Sequence, residues 1–226
     1  MAKEKKGWVP FEFVLTGTSE LFMDKPTQEL LATLRDKTKR KGPKTDWSPA
    51  EEAATKIYRM SDFKRDTEND NAPVIPRKWL FAALCNAAKS VKVPGTKRNL
   101  SGGAGNMLPG LIRLVEPCYE LILPKTGNEN QGWEVDQRKG NQGAKDRKVA
   151  VCITQPRFDE WQVKGTVLLN LDDMNEDVIT EVFKKAGTLA GFGPQRPGLG
   201  GTGCSGMFEL TEFAVAEGAK TEAAAA

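Results

Sequence analysis

A glycine-saturated segment lies between a helical pattern and a strand pattern near the C-terminal end of the sequence, and no other stretch limits the possible folds as much. It runs Gly191-Phe192-Gly193-Pro194-Gln195-Arg196-Pro197-Gly198-Leu199-Gly200-Gly201-Thr202-Gly203-Cys204-Ser205-Gly206. Without a Cβ, glycine takes positive φ and lets its backbone approach another backbone closely. Gly201-x-Gly203-x-x-Gly206 matches a dinucleotide fingerprint in form only. That motif follows a strand and opens a helix, whereas this loop follows a helix and opens a strand. Arg196 adds a planar cationic fork suited to phosphate, so the loop reads as a cradle for a sugar-phosphate track.

The elements around the loop follow from periodicity. Trp8–Thr16 alternates, with Phe11, Phe13 and Leu15 on one face, and reads as a strand. Ser48-Pro49-Ala50-Glu51 has the cap, the first-turn proline and the third-position acid of a helix start. This predicts a helix over Ser48–Met60, and a second short helix is expected over Thr27–Arg35. Both lie in a polar insertion, Lys25–Ala72. Leu80, Leu84, Ala87, Ala88 and Val91 give a helix from Arg77 to about Lys89 one apolar face. Leu111–Leu123 reads as a buried strand broken near Pro117, Lys125–Lys148 as a polar hairpin or loop, and Val149–Thr154 and Trp161–Leu171 as strands. Asp172-Asp173 is expected to cap a helix through Leu189, with Val178, Val182, Phe183, Ala186 and Leu189 facing the core. A strand at Met207–Phe213 and a frayed tail, 214–226, follow. Strand, insertion, helix, strands, helix, strand is an α+β plan: a ferredoxin-like, RRM-like β-α-β-β-α-β core with large insertions. Its helices would cover one sheet face and leave the other free for a ligand or a neighbouring subunit.

The residue inventory narrows the chemistry. Among 226 residues there is no histidine, which removes Ser-His-Asp and Cys-His triads and most zinc sites. Cys85, Cys118, Cys152 and Cys204 are widely spaced, with no Cys-x-x-Cys, and are read as small buried thiols rather than as a disulfide or metal framework. No cofactor and no metal are expected. Asp172, Asp173, Glu176 and Asp177 read as acids favoured by a helix N-terminus. There is no long apolar run and no secretory pattern at the start, so the expected location is cytoplasmic, away from membranes.

The net charge is only +3, so the distribution of charge carries more than its sum. One basic run holds Arg35, Lys37, Lys39, Arg40, Lys41 and Lys44. A second holds Lys89, Lys92, Lys97 and Arg98. A third holds Arg138, Lys139, Lys145, Arg147 and Lys148. Each is either a solvated loop or a phosphate contact. Phe158 and Trp161 flank a turn at Pro156–Trp161 and either anchor it or stack on bases. Trp79 is expected to pack inward. Trp133, in the polar excursion, is expected to be exposed and able to stack on a base.

Two stretches together resemble the RAMP superfamily of CRISPR proteins: Val74-Ile75-Pro76-Arg77-Lys78-Trp79-Leu80-Phe81-Ala82-Ala83-Leu84, and the glycine loop running into Met207-Phe208-Glu209-Leu210. The chain looks most like the backbone subunit that polymerises along the guide RNA, and similar proteins occur in phages and prophages. The resemblance spans Trp8–Phe13, Pro73–Ala88 and Trp161–Phe213. It implies one RAMP-like domain over 1–226, with Lys25–Ala72 as a thumb. The implied partners are single-stranded RNA, or single-stranded DNA in a phage relative, other copies of the chain in a filament, and other effector subunits. The implied contacts are Arg77 and Lys78 at the helix start, Gly191, Gly193, Arg196, Gly198, Gly200 and Gly201 in the loop, and Lys39, Arg40 and Lys41 in the thumb. Lys92, Lys97, Arg98 and Arg157 are further candidate nucleic-acid contacts. The family usually has Gly-Ser after the proline, where this chain has Arg77-Lys78. Some such subunits cut target RNA with a loop aspartate. Asp62 lies in the comparable region, which gives a metal-dependent endoribonuclease as an alternative, beside a phage single-stranded-DNA-binding or assembly protein.

Overall fold

The computed structural model describes residues 7–26, 31, 48–64, 69–102, 105–125, 127, 131–142, 149–198 and 201–216. In chain order these form β1 (Trp8–Gly17), β2 (Leu21–Phe22), α1 (Pro49–Thr55), β3 (Val74–Pro76), α2 (Arg77–Ala87), β4 (Ser101–Gly102), β5 (Gly105–Asn106) and α3 (Leu108–Leu111). Then come β6 (Ile112–Leu114), β7 (Cys118–Ile122), β8 (Glu134–Gln142), β9 (Val149–Phe158), β10 (Gln162–Asn170), α4 (Glu176–Lys185), β11 (Pro197–Gly198), β12 (Gly201–Thr202) and β13 (Phe208–Val215).

The central sheet runs β13-β1-β10-β7-β3, with β6 beside β10. Every pairing in it is antiparallel. The strand that breaks near Pro117 fills one position as two pieces: Leu114 pairs with Val167, and Ile122 with Gln162. With that position taken as one strand, the order is last, first, third, second, and α2 and α4 are the two connecting helices. The fold is therefore α+β with a ferredoxin-like core.

The alternation of β1 decides which face is inside. Phe11, Phe13 and Leu15 are buried and Glu12 is exposed. On β10, Val163, Val167 and Leu169 point the same way. Phe183 from α4 closes the core over them, its ring 5.5 Å from Phe13 and 5.4 Å from Phe213.

The cap of α4 differs from the sequence expectation. Asn175, not the Asp172-Asp173 pair, is the cap, and its side chain accepts from the Val178 N–H at 3.2 Å. Asp172 instead accepts from the Gly7 N–H, and Asp173 from the Asn170 side chain. The helix then widens into a π turn over Ala186–Ala190. The extra residue per turn shifts the register, so Ala190 is buried and Leu189, expected inside, is 49% exposed.

A second sheet, β2-β9-β8, lies beside the first. The polar stretch 125–148 supplies β8, which pairs with β9 from Glu134↔Arg157 to Gln142↔Val149. β9 continues past the expected end at Thr154 through Pro156. The Pro156 carbonyl takes the Met23 N–H just past the end of β2, and because proline has no N–H to return, the ladder there carries one bond instead of two. α1 packs on this hairpin. It is shorter than expected, ending at Thr55, but its capping box is intact, with Ser48 and Glu51 each accepting the other's backbone N–H. The Lys56 ammonium fixes the helix end by donating to Thr154 O at 2.6 Å. The described parts of the two insertions are thus packed on each other. Of the helix expected over Thr27–Arg35, only Leu31 lies within the described residues, and the tail beyond 216 lies outside them.

The cysteines do not behave alike. Cys118 is buried and Cys85 is half-buried, but Cys152 and Cys204 are exposed, against the expectation of four buried thiols. Their strand and loop positions put Cys152 and Cys204 on outward-facing backbone. Burial pushes the Cys118 and Cys85 thiols up from their ordinary pKa. No helix among the described residues is long and apolar enough to cross a membrane.

Two outcomes follow from this packing. Phe183→Ala should destabilise the fold by about 3–5 kcal/mol in a urea titration. Under native conditions a thiol reagent should modify Cys152 and Cys204 well before Cys118, as read by mass spectrometry of the digest.

Candidate nucleic-acid interface

The start of α2 gathers cations from two elements. Pro76 fixes the turn into the helix, where no side chain caps the first amides and no acid stands in the first turn. The helix thus presents the positive end of its dipole. Arg77 and Lys78 are both exposed there. Arg77 is held by its own backbone, whose N–H donates to Pro117 O at 3.0 Å. Its guanidinium leans on Leu114 O at 3.4 Å. The Lys78 ammonium lies 5.8 Å from the Tyr58 ring, and Tyr58 packs edge-on against Trp79 at 5.4 Å. Trp79 is half-buried, as expected for an inward-packing residue.

Arg113 on β6 completes the group. Its guanidinium carbon stands 4.0 Å from the centre of the Trp8 ring, a cation–π contact that holds the fork in one plane. None of the three cations makes a salt bridge among the described residues, and Glu116 nearby is taken by Lys64. Arg77, Lys78 and Arg113 flank one groove of ≈ 600 Å³, whose walls are largely apolar and include Phe81, Val115 and Leu168. A larger groove of ≈ 830 Å³ lies along β7, but Arg59 and Lys125 share it with Glu120 and three amides. Mixed charge of that kind gives little net attraction for an anion.

The other sequence-predicted residues do not join this cluster. Lys92, Lys97 and Arg98 sit exposed on a turn closed by the Lys92↔Asn99 bridge, beyond the far end of α2. The helical stretch from Arg77 to Ser90 separates them by roughly 20 Å at about 1.5 Å per residue. Arg157 belongs to the second sheet and is ion-paired with Asp159 at 2.8 Å. Lys39, Arg40 and Lys41 lie outside the described residues, as do Lys145, Arg147 and Lys148. Of the third basic run, Arg138 donates to Gln155 at 2.8 Å and sits over the Phe22 ring, which gives it a structural task.

The glycine loop uses its glycines differently from the sequence reading. Gly191, Phe192 and Gly193 are buried. Gly193 has φ +80°, and a Cβ there would stand 2.4 Å from Phe22 O. The close approach is therefore to the protein's own β2, not to a ligand. Phe192 stacks on Phe208 at 4.6 Å and meets Trp161 at 5.8 Å. Arg196 is exposed, with one guanidinium nitrogen donating to Gly193 O at 2.6 Å. Beyond Arg196 the backbone forms a short antiparallel ladder, Pro197 opposite Thr202 and Gly198 opposite Gly201; Gly200 lies outside the described residues.

Three aromatics weighed for base stacking are also internal. Phe158 is 0% exposed, Trp161 3% and Trp133 2%. Trp133 was expected outside because its surroundings are polar. It instead joins the hydrophobic core, its backbone bridged to Gly127 and its indole N–H donating to Gln131 at 3.1 Å. Trp161 likewise anchors its turn by donating to Ser19 O at 2.9 Å. Sequence reasoning missed Arg113 and Trp8. The alternation of Ile112-Arg113-Leu114 could have placed Arg113 outward, but nothing local tied it to Trp8 across the sheet.

Asp62 is engaged. The Lys25 ammonium donates to both its oxygens at 2.7 Å, and the Arg59 N–H donates to one at 2.8 Å. Among the described residues no three metal-ligating side chains come together.

No family model and no curated protein matches the sequence. Among solved structures the chain is similar to one in "Cryo-EM structure of the Type III-B Cmr-beta bound to cognate target RNA", with a TM-score of 0.49 and 13% identity. The match covers 92% of this chain and 61% of that one, so this chain spans about three-fifths of its neighbour's length.

The packing of the loop sets an expectation that needs no ligand. Gly193→Ala should lower stability by about 2 kcal/mol or more in a urea titration, because strain at positive φ adds to a backbone clash. An unchanged midpoint would show that the loop base is not packed against β2.

Proposed function

We propose that this chain is a nucleic-acid-binding subunit, of the backbone kind, in an RNA-guided effector complex, and that it grips single-stranded RNA through phosphate contacts at the start of α2. The observation that carries the reading is the cluster of Arg77, Lys78 and Arg113. These are three exposed or outward-facing cations without a carboxylate partner among the described residues, beside an uncapped helix start and an open groove. Unpaired cations on one surface are what a polyanion needs, and counterion release makes such binding steeply salt-dependent. The resemblance of Val74–Leu84 to the RAMP helix start supports the same site. In this reading Lys92, Lys97 and Arg98, on the turn beyond the far end of α2, form a second cationic station that meets phosphates several nucleotides away. Arg196, with the backbone at Gly198 and Gly201, forms a third on the glycine loop. Head-to-tail repetition along the strand is part of this reading.

A cutting role for Asp62 is the less favoured alternative, since its carboxylate already holds Lys25 and the Arg59 amide. A phage protein acting on single-stranded DNA would use the same cations and would differ in preferring DNA.

Fluorescence anisotropy with a labelled 30-nucleotide RNA over a salt series tests the proposal. The native protein should bind at low salt with a clearly negative log–log slope. The triple variant Arg77→Ala/Lys78→Ala/Arg113→Ala should flatten that slope by about 2, at about 0.7 per phosphate contact for a single strand. It should also weaken binding by at least tenfold. No binding at low salt, or a triple variant equal to the native protein, would overturn the site. A matched DNA strand separates the phage reading from the first.

A further inference from the structure

The groove beside the cation cluster is larger and more apolar than phosphate binding requires. Its volume of ≈ 600 Å³ falls in the range of small-ligand clefts, about 300–1,000 Å³. Phe81, Pro109, Val115 and Leu168 line it, and Val115 is 55% exposed. An apolar surface open to water is unfavourable unless something covers it. The cations flanking the groove narrow the choice of occupant. With three positive groups and no acid in its lining, the groove repels a basic segment and gains from an anion. The occupant must therefore pair a flat, apolar body with an adjacent negative charge.

We propose that this groove receives one unstacked base of the bound strand, with the phosphate next to it on Arg77 and Lys78. The proposal rests on the nucleic-acid-binding reading above and adds to it a site for the base. Arg113 suits the boundary between the two parts. Trp8 holds its guanidinium plane from one side at 4.0 Å. Its outward N–H groups stay available to base-edge acceptors or to the phosphate. Phe81 and Leu168 supply apolar contact that is indifferent to base identity, because every base has a π-face. The site therefore selects for a base without selecting which one.

The discriminating experiment changes the ligand rather than the protein fold. Anisotropy is measured with two labelled ribose-phosphate strands of equal length, one with bases and one made wholly of abasic units. If the groove holds a base, the abasic strand binds about 5- to 150-fold more weakly, the range expected for one stacked base. Both strands should show the same salt slope, since their phosphates are the same. Val115→Trp fills the groove from an exposed position without removing core atoms or charge. It should bring the intact strand down to the affinity of the abasic one, with an unchanged urea midpoint. Equal binding of the two strands by the native protein overturns the base site and leaves the groove to a polypeptide partner, while the phosphate-binding reading stands. The base site also falls if the abasic strand is weaker but Val115→Trp still discriminates as the native protein does. If neither strand binds at low salt, the underlying reading fails and the base site with it.

Discussion

The antiparallel pairing of β1 with β10 is the contact on which the other parts depend. It runs without a break from Trp8↔Asn170 to Thr16↔Gln162, joining residues about 150 positions apart. Phe13 sits in the middle, opposite Gly165. A Cβ at Gly165 would lie 2.3 Å from the Tyr119 ring and 2.8 Å from Phe13, so the missing side chain is what lets both rings enter the core. Tyr119 comes from β7, and its ring meets Phe13 edge-on at 5.4 Å. One glycine thus ties together the strand that opens the core, the strand after α2 and the strand before α4. The pairing is also non-local, so the entropy of closing the long intervening loop has to be met before the contact rewards it.

The cation cluster depends on that same frame. Arg77 is in place because Pro76 pairs with Cys118 on β7. Arg113 is in place because β6 pairs with β10 at Leu168. Trp8, which holds Arg113, begins β1. A shift of one residue in the β1–β10 register would turn Leu168 and Trp8 toward the core and dissolve the site.

Much of the core was legible from side-chain spacing. Phe11, Phe13 and Leu15 gave the inward face of β1; Val163, Val167 and Leu169 gave that of β10; and Pro117 marked the break between β6 and β7. Ser48 and Glu51 gave a helix start that the structure reproduces atom by atom. These features are local, and local sequence carries them. What could not be read depends on distant partners. Trp133 looks exposed among its polar neighbours, yet it is buried in the core cluster with its backbone bridged to Gly127. Asn175 outcompetes Asp172 and Asp173 as a cap because those two are drawn to Gly7 and Asn170. The glycines at 191 and 193 fit either a ligand or another part of the chain, and only the position of β2 shows which. Of the candidate site, Arg77 and Lys78 were visible, while Arg113 and Trp8 required the sheet order.

Gly193 has a mechanical consequence. It presses on Phe22, which belongs to the second sheet, while its neighbour Phe192 stacks on Phe208 of the central one. Glu20 strengthens the joint by accepting from Ser205 through its side chain at 2.9 Å and from Gly206 through its carbonyl at 2.7 Å. The loop base is therefore a weld between the two sheets. A load applied to the hairpin of β8 and β9 passes directly into the strand that ends the core, and is not lost in a slack linker.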